Sequence, residues 1–288
     1  METTTLDERA VKDLVRGRYG AIAAGPGDES MTAAAPCCGA DGAAIFAAKA
    51  SEMGYSAEEL AAVPEGANLG LGCGNPQAIA ALRAGDVVVD LGSGAGFDCL
   101  LAAPQVGPAG RVIGVDMTHE MLAKARANAS RAGAANVEFR LGEIEHLPVA
   151  DQVADVIISN CVVNLVPDKA QVFREAFRVL KPGGRLAISD VVNIAPLPED
   201  LRADPALLCG CIAGAVPAET VEKLLCAAGF TDIAITVKPE SRAMIADWAP
   251  GRGIETCVAS AIIAARKPNA GESLPRVANA PSAPRCCG

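Results

Sequence analysis

The chain alternates short β-branched or aliphatic runs with segments whose apolar residues recur at helical spacing. Val87-Val88-Val89-Asp90-Leu91 reads as a buried strand that ends in a glycine-rich turn into a helix. Arg111 to Val115 reads as a second strand, stopping at Asp116. Val137 to Leu141 gives a third, Ala154 to Ser159 a fourth and Arg185 to Asp190 a fifth. Between the last two, Asp168 is a helix N-cap, and Val172, Phe173, Ala176, Val179 and Leu180 form an apolar face. That helix stops at Lys181-Pro182-Gly183-Gly184, because proline and two glycines cannot continue it. Strands that alternate with helices in this way imply right-handed crossovers and a parallel sheet. The expected fold class is α/β: a Rossmann-like, mostly parallel, doubly wound sheet with helices on both faces and a smaller C-terminal substrate-covering region.

Upstream, Thr5 to Glu8 has the spacing of a capping box ahead of Val11, Leu14, Val15, Tyr19 and Ile22, which predicts a helix packed on the sheet or closing over it. Ser56 to Glu59 is a second such box. Ala23 to Ser30 has the composition of a flexible linker. The stretch from Lys267, rich in Pro, Ala and Ser and ending Cys286-Cys287-Gly288, reads as a disordered tail. The expected organisation is a helical or lid segment at 1–64 carrying Cys37 and Cys38, a ligand-binding core at 65–195, a C-terminal region with the final strands at 196–268, and a tail at 269–288.

Composition narrows the function without choosing it. A chain of 288 residues can bury a sizeable core, and alanine inflates its hydrophobic fraction of 51%. A net charge of −9, with only 1 Trp, 2 Tyr and 6 Phe, argues against a nucleic-acid reader, which needs a basic footprint and stacking platforms. Met1 to Glu8 is polar and acidic, and no apolar stretch approaches the ~20 residues that span a bilayer. No membrane partner and a cytoplasmic location are therefore expected.

The 11 cysteines change the picture more. In a reducing compartment they read as thiols for metal, metalloid or redox chemistry. Cys99, Cys226 and Cys257 lie in apolar elements and read as small packed hydrophobes. Cys73 lies in the glycine-rich loop Asn68 to Pro76, Cys161 follows the fourth strand, and Cys211 follows the fifth, with Cys209 as a spare ligand or an accident. Ligands of parallel sheets sit at the carboxyl ends of the strands, so these loops surround one expected cleft. Three thiols there point to a shared soft-ligand site. His119 and His146 read as solvated surface.

The glycines follow Asp-x-Gly-x-Gly-x-Gly at Asp90, Gly92, Gly94 and Gly96, which departs from the dinucleotide fingerprint and resembles the class I S-adenosylmethionine methyltransferases. Such a loop lets backbone N–H groups approach a ligand closely. Asp116 follows at the ~20-residue interval expected of a ribose-binding carboxylate. On this resemblance S-adenosylmethionine is the expected cofactor. Its candidate ligands are Asp90, Gly92, Ser93, Gly94, Gly96, Asp116 and Met117, then Gly142, Glu143 and Ile144 after the third strand, and Asn160.

Five segments carry a narrower resemblance: Leu69 to Pro76, Asp90 to Cys99, Gly114 to Met117, Ile158 to Lys169 with its Ser159-Asn160-Cys161-Val162-Val163-Asn164-Leu165, and Cys211 to Ala215. Together they resemble the arsenite S-adenosylmethionine methyltransferases. The resemblance implies that Cys161 and Cys211 bind trivalent arsenic, that Cys73 takes part in binding or in the redox step, and that Cys37 or Cys38 exchanges disulfides. It also implies arsenite or its thiol conjugates as substrate, thioredoxin or glutathione as reductant, a monomer, and a role in arsenic detoxification. The residue types suit that chemistry. Thiolates fit soft As(III), whose lone pair is the nucleophile for an in-line attack on a methyl group and has no proton to lose, so no general base is required. Two departures stand out: Leu71 occupies a position often aromatic in the family, and the region after Cys211 is short and poor in aromatics. A methyltransferase of the same fold acting on an organic, quinone-like acceptor would keep its activity when Cys161 and Cys211 become serine. A non-enzymatic metalloid-binding protein would not need S-adenosylmethionine.

Overall fold

Strict alternation in the first strand sends its side chains into two different cores, and the sheet follows from that. The computed structural model describes residues 7–25 and 40–272. Its strands are β1 (Val87–Leu91), β2 (Arg111–Asp116), β3 (Val137–Leu141), β4 (Ala154–Asn160), β5 (Leu180–Asn193), β6 (Val216–Pro217), β7 (Thr231–Lys238) and β8 (Val258–Arg266). They form one sheet in the order β3-β2-β1-β4-β5-β8-β7, with β6 beside β5. β1 to β5 pair in parallel, and β8 runs antiparallel between β5 and β7.

The helices are α1 (Glu8–Ala24), α2 (Ala40–Glu52), α3 (Ala57–Ala61), α4 (Gln77–Ala80), α5 (Phe97–Val106), α6 (His119–Ala132), α7 (Lys169–Val179), α8 (Glu199–Arg202), α9 (Pro205–Cys209), α10 (Ala218–Ala228) and α11 (Arg242–Ala246). Val89, Leu91, Ile113 and Ile157 pack with Phe173 of α7 and Leu225 of α10. Val88, Val112, Val156 and Ile158 pack with α5 and α6 on the opposite face. Helices thus cover both faces, as the expected fold class requires.

Several details differ from the sequence reading. Helix α1 is capped by Asp7, whose Oδ1 accepts the Ala10 N–H at 2.7 Å; Thr5 lies outside the described residues. Lys181-Pro182-Gly183-Gly184 does end a helix, but the chain passes straight into β5, pairing at Leu180 with Ala154 and again at Arg185 with Val156 across a register shift. Cys226 is exposed on α10 rather than packed. Cys257 is buried, yet it ends a 3-10 turn ahead of β8 instead of lying in the strand. Asn269 to Glu272, given to the tail by sequence, fold back on the end of β8, where Glu272 accepts hydrogen bonds from Arg266 and from the backbone of Asn269.

Lys267 anchors the end of β8. Its ammonium donates to the carbonyls of Phe177 and Leu180 at 2.6 and 2.8 Å and lies 4.5 Å from the Phe177 ring centroid. It caps the C-terminus of α7, where unpaired carbonyls and the helix dipole favour a cation. Replacing Lys267 with Met keeps most of the stem's packing but removes the charged donor. Urea denaturation is expected to show a loss of about 1.5–3 kcal/mol, and an unchanged midpoint would show that the cap contributes nothing.

Candidate active site

The turns after β1 and β4 meet at the carboxyl end of the sheet and open onto a cavity of about 860 Å³. Gly92 has φ +69, and a Cβ there would lie 2.5 Å from Val162 Cγ2, so only glycine lets the two turns touch. Asp90, Gly92, Ser93, Gly94, Asp116, Met117, Gly142, Ile144 and Asn160 line the cavity together. Gly96 closes the loop as the N-cap of α5. Glu143 faces a neighbouring recess, bound by Lys12 at 2.7 Å and Arg16 at 3.4 Å, and Glu145 lines the main cavity in its place.

The residues present fit a nucleoside-bearing cofactor. The Ser93 hydroxyl is buried at the lip of the glycine loop with no partner among the described residues. Asp116 accepts the N–H groups of Gly94 and Thr118 at 2.9 and 2.8 Å, and burial raises its carboxyl above the usual range. Burial, reinforced by the charge of Asp98, raises Asp90 well above its ordinary value.

Cys161 is where this cavity meets the thiols. It adopts φ 58 directly after β4, and Cys211 adopts φ 64 after α9, a left-handed conformation that non-glycine residues seldom take. The Cys211 thiol donates to the Cys161 carbonyl at 2.7 Å. Cys73 Sγ, Cys161 Sγ and a carboxylate oxygen of Asp190 all lie within 4.8 Å of one another. Cys161 therefore stands between Cys73 on one side and Cys211 on the other. Hydrogen bonding with Cys211 and Cys73, then burial, pushes its thiol well above the usual range. For Cys211 the bond with Cys161 acts downward, but burial together with Asp190 and Cys73 outweighs it and the thiol rises to about 11. All three thiols are buried in an apolar cluster with Val15, Leu165, Leu207 and Ile212.

Asp190, at the carboxyl end of β5, is a site residue that the sequence reading missed. It is 2% exposed. Its carboxylate accepts from Asn164 Nδ2 at 2.8 Å and from the N–H groups of Asn164 and Val191 at 3.3 and 2.8 Å. Burial still raises it to about 6, opposed by those donors and by Lys169. A carboxylate at the carboxyl end of a parallel strand was the available signal.

Two further residues were missed because they arrive from distant segments. Tyr19 on α1 donates to the Cys209 carbonyl at 3.1 Å. Burial, then the proximity of Cys211, Cys161 and Cys209, raises its phenol well above its ordinary value. Trp248 lines the cavity just past α11, supplying an aromatic wall that the segment next to Cys211 lacks. Leu71, the departure noted above, lines the rim and is 40% exposed. Cys209 is buried against the cavity. His119 and His146 are exposed. Cys37 and Cys38 lie outside the described residues.

Comparison with known proteins agrees with this geometry. A methyltransferase domain family matches residues 82–236. An arsenite methyltransferase of Halobacterium salinarum is 50% identical over 273 residues, covering 91% of this chain and 68% of its own. The Homo sapiens arsenite methyltransferase is 44% identical over 138 residues, covering 45% of this chain and 37% of its own. The crystal structure of an arsenic(III) S-adenosylmethionine methyltransferase from Chlamydomonas reinhardtii superposes with a TM-score of 0.59 at 34% identity, covering 80% of this chain and 75% of that one. Half of all positions shared across 91% of the chain, on a sheet whose glycine turn abuts a thiol cluster, place it in the arsenite methyltransferase family, a branch of the S-adenosylmethionine-dependent methyltransferases.

Proposed function

We propose that this protein methylates As(III) held by Cys161 and Cys211, with Cys73 as the third thiol. The observation that carries this reading is the cluster of buried thiols at Cys73, Cys161 and Cys211, of which Cys161 and Cys211 line the glycine-loop cavity. Arsenous acid is neutral and soft, and so is a protonated thiol site lined by aliphatic side chains. Each As–O bond replaced by As–S sends the thiol proton out with the departing hydroxide as water, so no net charge enters the apolar chamber. Asp190, beside Cys73 and Cys161, is placed to pass that proton along. Held by thiolates, arsenic stays pyramidal and keeps its lone pair.

S-adenosylmethionine, when bound, supplies an electrophilic methyl group on a sulfonium centre. Asp116 with Gly94, the Ser93 hydroxyl and Ile144 are the residues that would hold it. Val15 and Tyr19 of α1 line the same cavity, and Lys12 fastens that helix to Glu143 and Glu145. The helix thereby keeps water from the thiols. Because the nucleophile carries no proton, the site needs no base beyond the one that loads arsenic. Alkylation oxidises arsenic by two electrons, which a thiol pair returns by forming a disulfide. In this reading Cys37 or Cys38 pairs with Cys73, and thioredoxin or glutathione resets the enzyme in the cytoplasm. No helix among the described residues is long and apolar enough to cross a membrane.

Transfer of labelled methyl groups to arsenite in excess thiol is expected from the wild type and is expected to fall about 10²-fold or more in Cys161→Ser and Cys211→Ser. Bound cofactor with no arsenic product in the wild type would sink the assignment in favour of an organic acceptor. A second expectation follows from the raised thiols. At about pH 7 neutral thiols exchange for neutral hydroxides, so the calorimetric enthalpy of arsenite binding should not depend on the buffer's ionisation enthalpy. Proton uptake from the buffer would mean that the free site already holds thiolates.

A further inference from the structure

Cys73 is the thiol whose position the strand ends do not determine. Cys161 and Cys211 are set by their own left-handed backbones, whereas Cys73 sits in an irregular loop between α3 and α4. What holds that loop is one amide. Asn160 Oδ1 accepts the Cys73 N–H at 3.0 Å, and Asn160 Nδ2 donates to the Gly74 carbonyl at 2.7 Å. The Cys73 N–H and the Gly74 carbonyl, which bracket the Cys73 side chain along the loop, are therefore gripped by a single side chain from the end of β4. The grip is close. A Cβ at Gly72 would lie 2.8 Å from Asn160 Nδ2, and one at Gly74 would lie 2.6 Å from Ser189 Oγ.

The second donor position of that amide is fixed by Tyr55. Asn160 Nδ2 also donates to the Tyr55 hydroxyl at 3.0 Å, and the hydroxyl donates onward to Asp98 Oδ1 at 2.7 Å. Tyr55 is buried, and its ring packs edge-on against Phe97 with centroids 4.8 Å apart. A phenol has one proton to give and lone pairs to receive. With its proton committed to the Asp98 carboxylate, its oxygen must face Asn160 as an acceptor. That polarity, with the Gly74 carbonyl at 2.7 Å and Asp98 Oδ2 at 3.5 Å acting in the same sense, turns the amide nitrogen towards Tyr55 and Gly74 and its oxygen towards Cys73. A flipped amide would set two donors against each other at the Cys73 N–H.

The geometry points to Tyr55 as a positioning residue for the third thiol, acting through Asn160 to hold Cys73 within bonding reach of the arsenic carried by Cys161. This rests on the proposed arsenic site and assigns Asn160, a candidate cofactor ligand by sequence, the work of clamping the Cys73 loop. Asp98 lies in the first turn of α5, the helix that the glycine loop opens, and both it and Asn160 line the cavity. The third thiol is thus tied to the floor of the cofactor site rather than to its own loop.

The test is X-ray absorption at the arsenic edge on As(III)-loaded full-length protein, wild type beside Tyr55→Phe, with S-adenosylmethionine affinity measured in parallel. Phenylalanine keeps the ring contact with Phe97 and removes only the hydroxyl. The variant is expected to show one sulfur fewer around arsenic than the wild type, matching Cys73→Ser, with cofactor affinity within about twofold and methyl transfer lowered about tenfold. Asn160→Ser, which leaves the Tyr55 to Asp98 bond in place, should lose the same sulfur and serves if Tyr55→Phe does not fold. An unchanged sulfur count in a folded variant overturns the role of Tyr55. A wild type that binds S-adenosylmethionine but no arsenic overturns the arsenic site itself, and the two failures are distinguished by the wild-type spectrum.

Discussion

The contact between Gly92 and Val162 is the constraint on which the site depends. β1 and β4 are adjacent parallel strands with Leu91 opposite Ser159, so their chains leave the sheet at the same height and side by side. One turn carries the glycine loop and the other carries Cys161. With no Cβ at Gly92 the turns close to van der Waals contact, and the cofactor loop and the first thiol share one wall of one cavity. A larger residue at Gly92 would separate them by the width of a side chain, and methyl transfer does not tolerate that displacement.

The chamber is built to be neutral. Thiolates at Cys161 and Cys211 would carry a desolvation penalty in this apolar surround, and both thiols are pushed upward, which keeps their protons on. The one buried anion placed next to them, Asp190, is held by three donors and faces Lys169. Reactive cysteines elsewhere are usually activated as thiolates beside cations. On the proposed reading this site needs no such activation, because its thiols would be ligands to a substrate whose hydroxides leave as water.

The parallel half of the sheet was legible because its strands are apolar runs punctuated by glycine, and period alone identifies them. Of the antiparallel pair, β8 was legible as the apolar run after Thr256 and β7 was not. Residues 231–238 alternate between exposed and half-buried positions and are recognisable as a strand only once β8 lies beside them. In the same way, Cys73, Cys161 and Cys211 were readable from their motifs, while the groups that hold them were not. Tyr55 and Asn160 are 105 positions apart, Tyr19 and Cys209 are 190 apart, and neither pair leaves a local pattern. Cys226 failed for the opposite reason: it occupies an apolar-looking stretch of α10 but falls on the face turned to solvent. The order of Asn269 to Glu272 was hidden in the same way, because it rests on Arg266 pairing with Glu272.

Two of the three thiols stand on strained backbone, and that strain indicates when the site is organised. A left-handed conformation at a non-glycine residue costs about 1–2 kcal/mol. At Cys161 it is offset by the N–H bond to the Ser189 carbonyl at 2.7 Å, and at Cys211 by the bond to the Leu208 carbonyl at 3.1 Å. Those bonds are part of the fold, so both thiols are positioned as the chain folds. On the proposed reading arsenic would meet a prepared frame rather than order loops around itself. Cys73 lacks a strained backbone of its own and is held by side chains instead. Its position therefore depends on the Asn160 amide rather than on its own backbone.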